Sequence, residues 1–234
     1  SKEELIGKPH NIVRHPDSPK ELFEELWKTI KNKKVFQANI KNRKKDGSEY
    51  FVSSTIVPIL DCNGDIIEYL SLRYDISDLV KAKEKAQEIW NQSIEGDPSR
   101  SPYLVRKRLS HLYGARVDPD TGATLRLPCT DAAGNVWGIQ EIFASGDKKF
   151  LKGQRKEGTF HQIGDVQPGR PILIAEGFAT GASLHQVTKH PVFIAWDAGN
   201  LKRVALEVRS KYPTTIIPIA GDNDGHGTAR KAAE

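Results

Sequence analysis

Hydrophobic and polar positions fall into two rhythms along this chain. In residues 21–31, Leu22, Phe23, Leu26, Trp27 and Ile30 recur at helical spacing and predict an amphipathic helix. Residues 35–43, 49–60 and 66–75 are strand-like, and the joints KKDGS and DCNGD carry Asp-Gly and Asn-Gly pairs that favour tight hairpins. A short helix is expected over residues 3–8. The first 78 residues thus predict a helix followed by an antiparallel meander, an α+β unit.

Residues 79–94 are rich in good helix formers, and the breaker cluster GDPSRSP ends that helix. Short strand-like pieces return at 124–128, 136–143 and 149–151, separated by turn residues. From residue 169 the texture changes. Apolar runs at 172–175, 192–196 and 216–221, the first two each followed by a helical stretch, are the pattern of buried parallel strands in βαβ units. The expected organisation is an α+β unit over 1–78, a helical linker over 79–100, a small β-rich module over 101–168, and an α/β domain of βαβαβ order with a parallel sheet over 169–234.

Composition agrees with a folded globular chain: of 234 residues, 38% are hydrophobic and 28% charged. No apolar run approaches the roughly 20 residues needed to cross a bilayer. The first segment, SKEELIGKPH, lacks the apolar stretch of a signal peptide, so a cytoplasmic protein without membrane partners is expected. The sequence has no methionine, and ARKAAE stops inside a helical pattern, so a piece of a longer protein, cut at both ends, is expected. Cys62 and Cys129 form no CxxC pair, which argues for free thiols and against a zinc module. The net charge is +5, and residues 101–156 alone hold ten Lys or Arg against five Asp or Glu. Such a local excess suits a polyanionic partner.

In open α/β sheets the active crevice lies beyond the carboxyl ends of the strands. Glu176, Asp197, and the pair Asp222 and Asp224 follow the three apolar runs. Asp222 and Asp224, two residues apart, can share one cation while Glu176 faces them from a neighbouring strand. Mg²⁺, a hard ion that prefers carboxylate oxygens, suits such a set, and Mn²⁺ could serve in its place. Metal of that kind offsets the charge of a phosphoryl-transfer transition state. Gly177, Gly225 and Gly227 leave the backbone free to turn beside it. Asp197 reads better as a helix N-cap. An EF-hand reading of DNDGHG fails, because counting from Asp222 the fifth position is His226 and the twelfth is Ala233.

PILIAEG, PVFIAWDAGNL and IIPIAGDNDG together resemble the Toprim domain of primases and topoisomerases, with a Glu after the first strand and DxD after the third. Upstream, AQEIWNQS, SPYLVRKR, YGAR, LRLPCTDAAGNVWGIQEI and KKFLKGQRKEG resemble the primase core of phage- and plasmid-type DNA primases, so the resemblance covers about residues 82–234. It implies synthesis of short RNA primers on a single-stranded DNA template from nucleoside triphosphates, with a helicase as a further partner. Glu176 would be the general acid or base beside the metal, and Asp222 and Asp224 the Mg²⁺ ligands. Lys148, Lys149, Lys152, Arg155 and Lys156 match the family's basic loop and would contact template or triphosphate; Arg106 and Lys107 are weaker candidates.

Residues 1–78, from IGKPHNIVRHPDSP to the Asp75-Ile76-Ser77 end, resemble the second half of a PAS domain of the aerotaxis-sensor type. The elements that open a PAS domain are absent from this sequence, so flavin or haem is not expected, and Trp27 and Phe36 read as core aromatics. Two other readings stand beside a primase with a PAS appendage. One is a sensory protein whose Toprim fold is catalytically idle; the other is a fusion of two coding fragments, artificial or recombinant.

Overall fold

The computed structural model describes residues 4, 6–8 and 10–221. The expected helix at 3–8 and the aspartates of the DND stretch fall wholly or partly outside the described residues. The chain divides into two compact units, Ser1–Val80 and Lys81–Glu234.

In the first unit, a 3-10 turn at His10–Val13 leads to helix α1 (Lys20–Lys31). Three strands follow, β1 (Phe36–Arg43), β2 (Glu49–Leu60) and β3 (Ile66–Asp75), in an antiparallel sheet ordered β1-β2-β3. The hairpins close where the Asp-Gly and Asn-Gly pairs predict, with Lys44 N–H donating to Ser48 O at 2.8 Å and Asp61 N–H to Asp65 O at 2.8 Å. Leu26 and Ile30 of α1 pack on Phe36 and Ile56 of the sheet. Burial of each such side chain contributes about 1.5–3 kcal/mol.

Phe36 is therefore a core residue, but Trp27 is not: it is 51% exposed, with its ring edge-on to Tyr69 at 6.4 Å. The reason is that among the described residues β3 is an edge strand, so its side chains offer Trp27 no closed wall. Helix α2 (Ser77–Gln92) begins two residues earlier than expected. Asp75 sets that start by accepting from the Ser77 N–H at 2.8 Å and from its hydroxyl at 2.5 Å.

In the second unit, the module expected to be β-rich opens with a short helix, α3 (Pro102–Lys107), with Pro102 at its first turn. A four-stranded antiparallel sheet then forms from β4 (Arg116–Val117), β5 (Leu125–Thr130), β6 (Val136–Ile142) and β7 (Lys148–Phe150), in chain order.

The second sheet contains β8 (His161–Ile163), β9 (Leu173–Ala175), β10 (Val192–Ile194) and β11 (Ile219–Ala220), ordered β11-β9-β10-β8. Helix α4 (Phe178–Thr188) joins β9 to β10, and α5 (Ala198–Lys211) joins β10 to β11. β9, β10 and β11 are parallel, in the expected βαβαβ order, whereas β8 runs antiparallel to β10. The expected boundary at 168/169 is thereby crossed. His161 and Ile163, both buried, enter the second sheet, and a bridge between Thr130 and Phe160 ties that segment back to β5. β11 is shorter than its apolar run because Pro218 has no N–H to donate, although Ile174 N–H still reaches Pro218 O at 3.0 Å.

Alternation along β10 explains the layers. Val192 and Ile194 face Phe178 and Ala182 of α4 together with Leu125, Leu127 and Ile142 of the first sheet. Phe193 and Ala195 face Leu201, Val204 and Val208 of α5. β10 is thus buried on both faces, as its unbroken apolar run requires.

Candidate active site

The parallel register brings three strand ends level. Ala175 pairs with Ile194 on one side and with Ala220 on the other. Glu176 thus leaves the sheet from its middle strand, beside Ala195 and Gly221, with neighbouring backbones roughly 5 Å apart. Gly177, the next residue, caps α4 with extended backbone. Asp222 and Asp224 lie outside the described residues. The described chain reaches Gly221 directly alongside Glu176, and of the described residues at this strand end Glu176 offers a carboxylate oxygen, the hard donor that Mg²⁺ prefers.

At the end of β10 the chain turns sharply. Trp196 takes φ +77°, a left-handed conformation that is an outlier for a bulky residue. It is held there by its indole N–H, which donates to Thr159 O at 2.9 Å, and by edge-on packing against Phe150 at 5.8 Å. The turn delivers Asp197, whose carboxylate caps α5 by accepting from Asn200 N–H at 3.1 Å. The capping role expected of Asp197 is therefore present, and the same carboxylate also pairs with the Lys156 ammonium.

Two of the five basic-loop residues come to this edge. Lys156 reaches Asp197, and the Lys148 ammonium lies 3.8 Å from where a Cβ on Gly177 would stand. The other three are directed elsewhere or left at the surface. Lys149 lies 5.5 Å over the Phe143 ring, Arg155 lies 5.1 Å over the Trp137 ring and donates to Glu157 O at 2.9 Å, and Lys152 is exposed. Alternation along β7 explains why adjacent lysines separate. Arg106 is engaged by Ala144 O at 2.7 Å.

The supports of this loop were not legible in the residue pattern. Asn200, buried at 4% exposure, accepts from Gly158 N–H at 2.8 Å and donates to Thr159 O at 3.0 Å, Ala195 O at 3.0 Å and Lys156 O at 3.2 Å. Gln154 accepts from Ile139 N–H at 2.8 Å and Leu151 N–H at 3.0 Å, and its amide meets the Cys129 sulfur at 3.3 Å. Gly138 makes room for it, since a Cβ there would stand 2.3 Å from Gln154 Cδ. One signal was available: Asn200 follows the capping Asp197 by three residues, which turns it back toward the strand end.

Both cysteines are free, Cys62 exposed and Cys129 buried, and burial pushes the Cys129 thiol up to about 12. In the first unit, His15, Asp17 and Glu49 gather within 4.8 Å of one another. The Lys41 ammonium already serves those acids, at 2.7 Å from Glu49 and 3.4 Å from Asp17. A groove of about 500 Å³ also opens there between α1 and the sheet, lined by Leu26, Trp27, Ile56, Tyr69 and Arg73 among others. No described helix is long and apolar enough to cross a membrane.

Residues 171–234 match the Toprim domain family and residues 1–73 the PAS fold family. The chain is similar to DNA primase TraC of Escherichia coli, 33% identical over 189 residues, which covers 70% of this chain and 13% of that protein. It is also similar to the aerotaxis receptor of Escherichia coli (strain K12), 42% identical over 76 residues, or 32% of this chain and 15% of the receptor. Among solved structures, the PAS domain of a protein from Colwellia psychrerythraea is 28% identical, covering 33% of this chain and 65% of that one, with a TM-score of 0.31. The chain therefore carries a PAS fold segment followed by a Toprim domain, and its TraC relatives cover the Toprim region.

Proposed function

We propose that this chain, with its Toprim domain and its similarity to DNA primase TraC, is part of a primase-type nucleotidyltransferase that makes RNA primers on single-stranded DNA. One observation carries the reading. Glu176 sits on the middle strand, level with the end of β11, so the acids that follow Gly221 start from a backbone beside it. Glu176, Asp222 and Asp224 would hold Mg²⁺, which when bound offsets charge on the phosphoryl group and orients it.

The chain's own residues supply the rest. Glu176 is the carboxylate placed to take or return a proton at the reacting hydroxyl. Lys148 and Lys156 put positive charge at the same edge and would draw in triphosphate or template. Lys149, Lys152 and Arg155 would extend that charge along the path of the strand.

The test is incubation with single-stranded template, Mg²⁺ and labelled nucleotides, comparing the parent chain with Glu176→Gln, Asp222→Asn and Asp224→Asn. Loss of oligomer in each variant, with an unchanged circular-dichroism spectrum, is the expected result. Oligomer made equally well by Glu176→Gln removes this edge from the chemistry. Mn²⁺ titration followed by paramagnetic resonance gives a second readout: affinity should fall at least tenfold in Asp222→Asn.

A further inference from the structure

A second polar cavity lies at the other end of the parallel sheet. Because β8 runs antiparallel to β10, its last residue, Ile163, is level with Val192, where β10 begins. The last turn of α4 arrives at the same end. Between them opens a pocket of about 450 Å³ lined by Ser110, His111, Tyr113, Gly164, His185 and Lys189 among others. Helix α4 runs over Phe178–Thr188 between this pocket and Glu176, a rise of roughly 16 Å, so the two sites do not share side chains.

Three features define what the pocket accepts. Among the described residues no carboxylate lines it, while Lys189 brings a positive charge to its wall. Three flat rings run through it edge to face, His111 to Tyr113 at 5.7 Å and Tyr113 to His185 at 6.1 Å. Its polar groups are both donors and acceptors. His185 Nδ1 donates to His190 O at 2.7 Å, since a carbonyl can only accept, and Nε2 is left for another partner. Tyr113 OH donates to Gln186 Oε1 at 2.5 Å, and Ser110 Oγ lies 2.8 Å from His111 Nδ1.

The His185 ring also packs against bare backbone. A Cβ on Gly164 would stand 2.5 Å from its Cε1, and φ +74° at that position independently favours glycine. Of the carbonyls at the helix end, His185 O is capped by the Lys189 N–H at 2.8 Å, and the Thr188 hydroxyl turns back to Leu184 O at 2.7 Å.

We propose that this pocket binds one nucleotide, with its base against the His111, Tyr113 and His185 rings and its phosphate at Lys189. Ring faces give sequence-tolerant stacking, and the mixed donors and acceptors meet the edge of an unpaired base. The volume lies within the range of small-molecule sites. The same nucleotide chemistry is offered by a free mononucleotide or by an unpaired position of a single strand. The proposal does not depend on the acids at the opposite end of the sheet.

The test is a titration of the full chain without Mg²⁺, following the histidine rings by long-range ¹H–¹⁵N spectra. The probes are thymidine 5′-monophosphate, a short oligothymidylate and inorganic phosphate. Saturable shifts of the His111 and His185 rings, with His15 unmoved, are expected with the oligothymidylate. Equal shifts with the mononucleotide mark a free-nucleotide site; shifts with the oligomer alone mark a strand site. Lys189→Gln and Tyr113→Ala should each weaken binding at least fivefold, and Glu176→Gln should leave it unchanged. Rings unmoved by both nucleotide probes, inorganic phosphate binding as tightly as either, or full affinity in Lys189→Gln each overturn the proposal.

Discussion

Gly158 N–H donates to Asn200 Oδ1 at 2.8 Å, joining the end of the basic loop to the first turn of α5. The rest of the Asn200 amide holds three backbone carbonyls, so one side chain fixes where Lys156 stands. Asn200→Ala leaves these buried groups unsatisfied and should cost about 3 kcal/mol in denaturant unfolding. Asn200→Asp should cost more than Ala despite its similar shape, because it replaces the donating NH₂ by a carboxylate oxygen that can only accept and sets it against three carbonyls. Equal midpoints for the two variants would contradict that ordering.

Lys156 and Asp197 make an ion pair with both side chains about two-fifths exposed, at 41% and 40%. Its contribution to stability should be small, so Lys156→Gln should shift the unfolding free energy by less than about 1 kcal/mol. If Lys156 meets a phosphate of single-stranded DNA, the same variant should reduce the slope of log affinity against log salt by roughly 0.7. Fluorescence anisotropy at several salt concentrations measures it.

His161 is 2% exposed, and its Nε2 lies 2.8 Å from Tyr113 O, the contact of a neutral ring that donates to a carbonyl. Burial lowers its pKa from the ordinary 6.5 to about 4. Between those values the unfolded chain binds a proton that the folded chain refuses. Stability from this residue is therefore complete above pH 6.5 and declines as the pH falls to 4, by about 3 kcal/mol in total. Urea midpoints across that window should show the decline, and His161→Gln should flatten this part of the profile.

Thiol labelling separates the two cysteines. In the native chain Cys62, which is exposed, should react readily, while Cys129, buried with its thiol pushed up to about 12, should react only after denaturation. Two fast equivalents in the native chain would mean that the β5–β6 core opens freely.

Much of this architecture was legible in the residue pattern because its elements are periodic or continuous. Leu26 and Ile30 repeat on one helix face, and the two hairpins advertise themselves through Asp-Gly and Asn-Gly. The run Val192–Ile194 could only be a strand buried on both faces. β8 was not legible, since three residues, His-Gln-Ile, carry no period and only the burial of His161 and Ile163 decides their place. Helix α3 was not foreseen, because Tyr103-Leu104-Val105 suits either state until the start at Ser101-Pro102 is given weight.

The strand-end place of Glu176 was legible for a positional reason: a carboxylate directly after an apolar run marks such an end. Asn200 gave only its place three residues after the capping Asp197, and Gln154 gave no signal. A single amide in a loop or a helix says little until its buried partners are known, and those partners are backbone groups that every sequence contains.

The antiparallel seat of β8 sets the smallest piece of this protein that can be handled in solution. Residues 169–234 expressed alone would leave one margin of β10 with open N–H and C=O groups on an apolar strand, a template for intermolecular pairing. Useful truncations begin upstream of the β4–β7 sheet, and shorter ones should be recovered chiefly as aggregate.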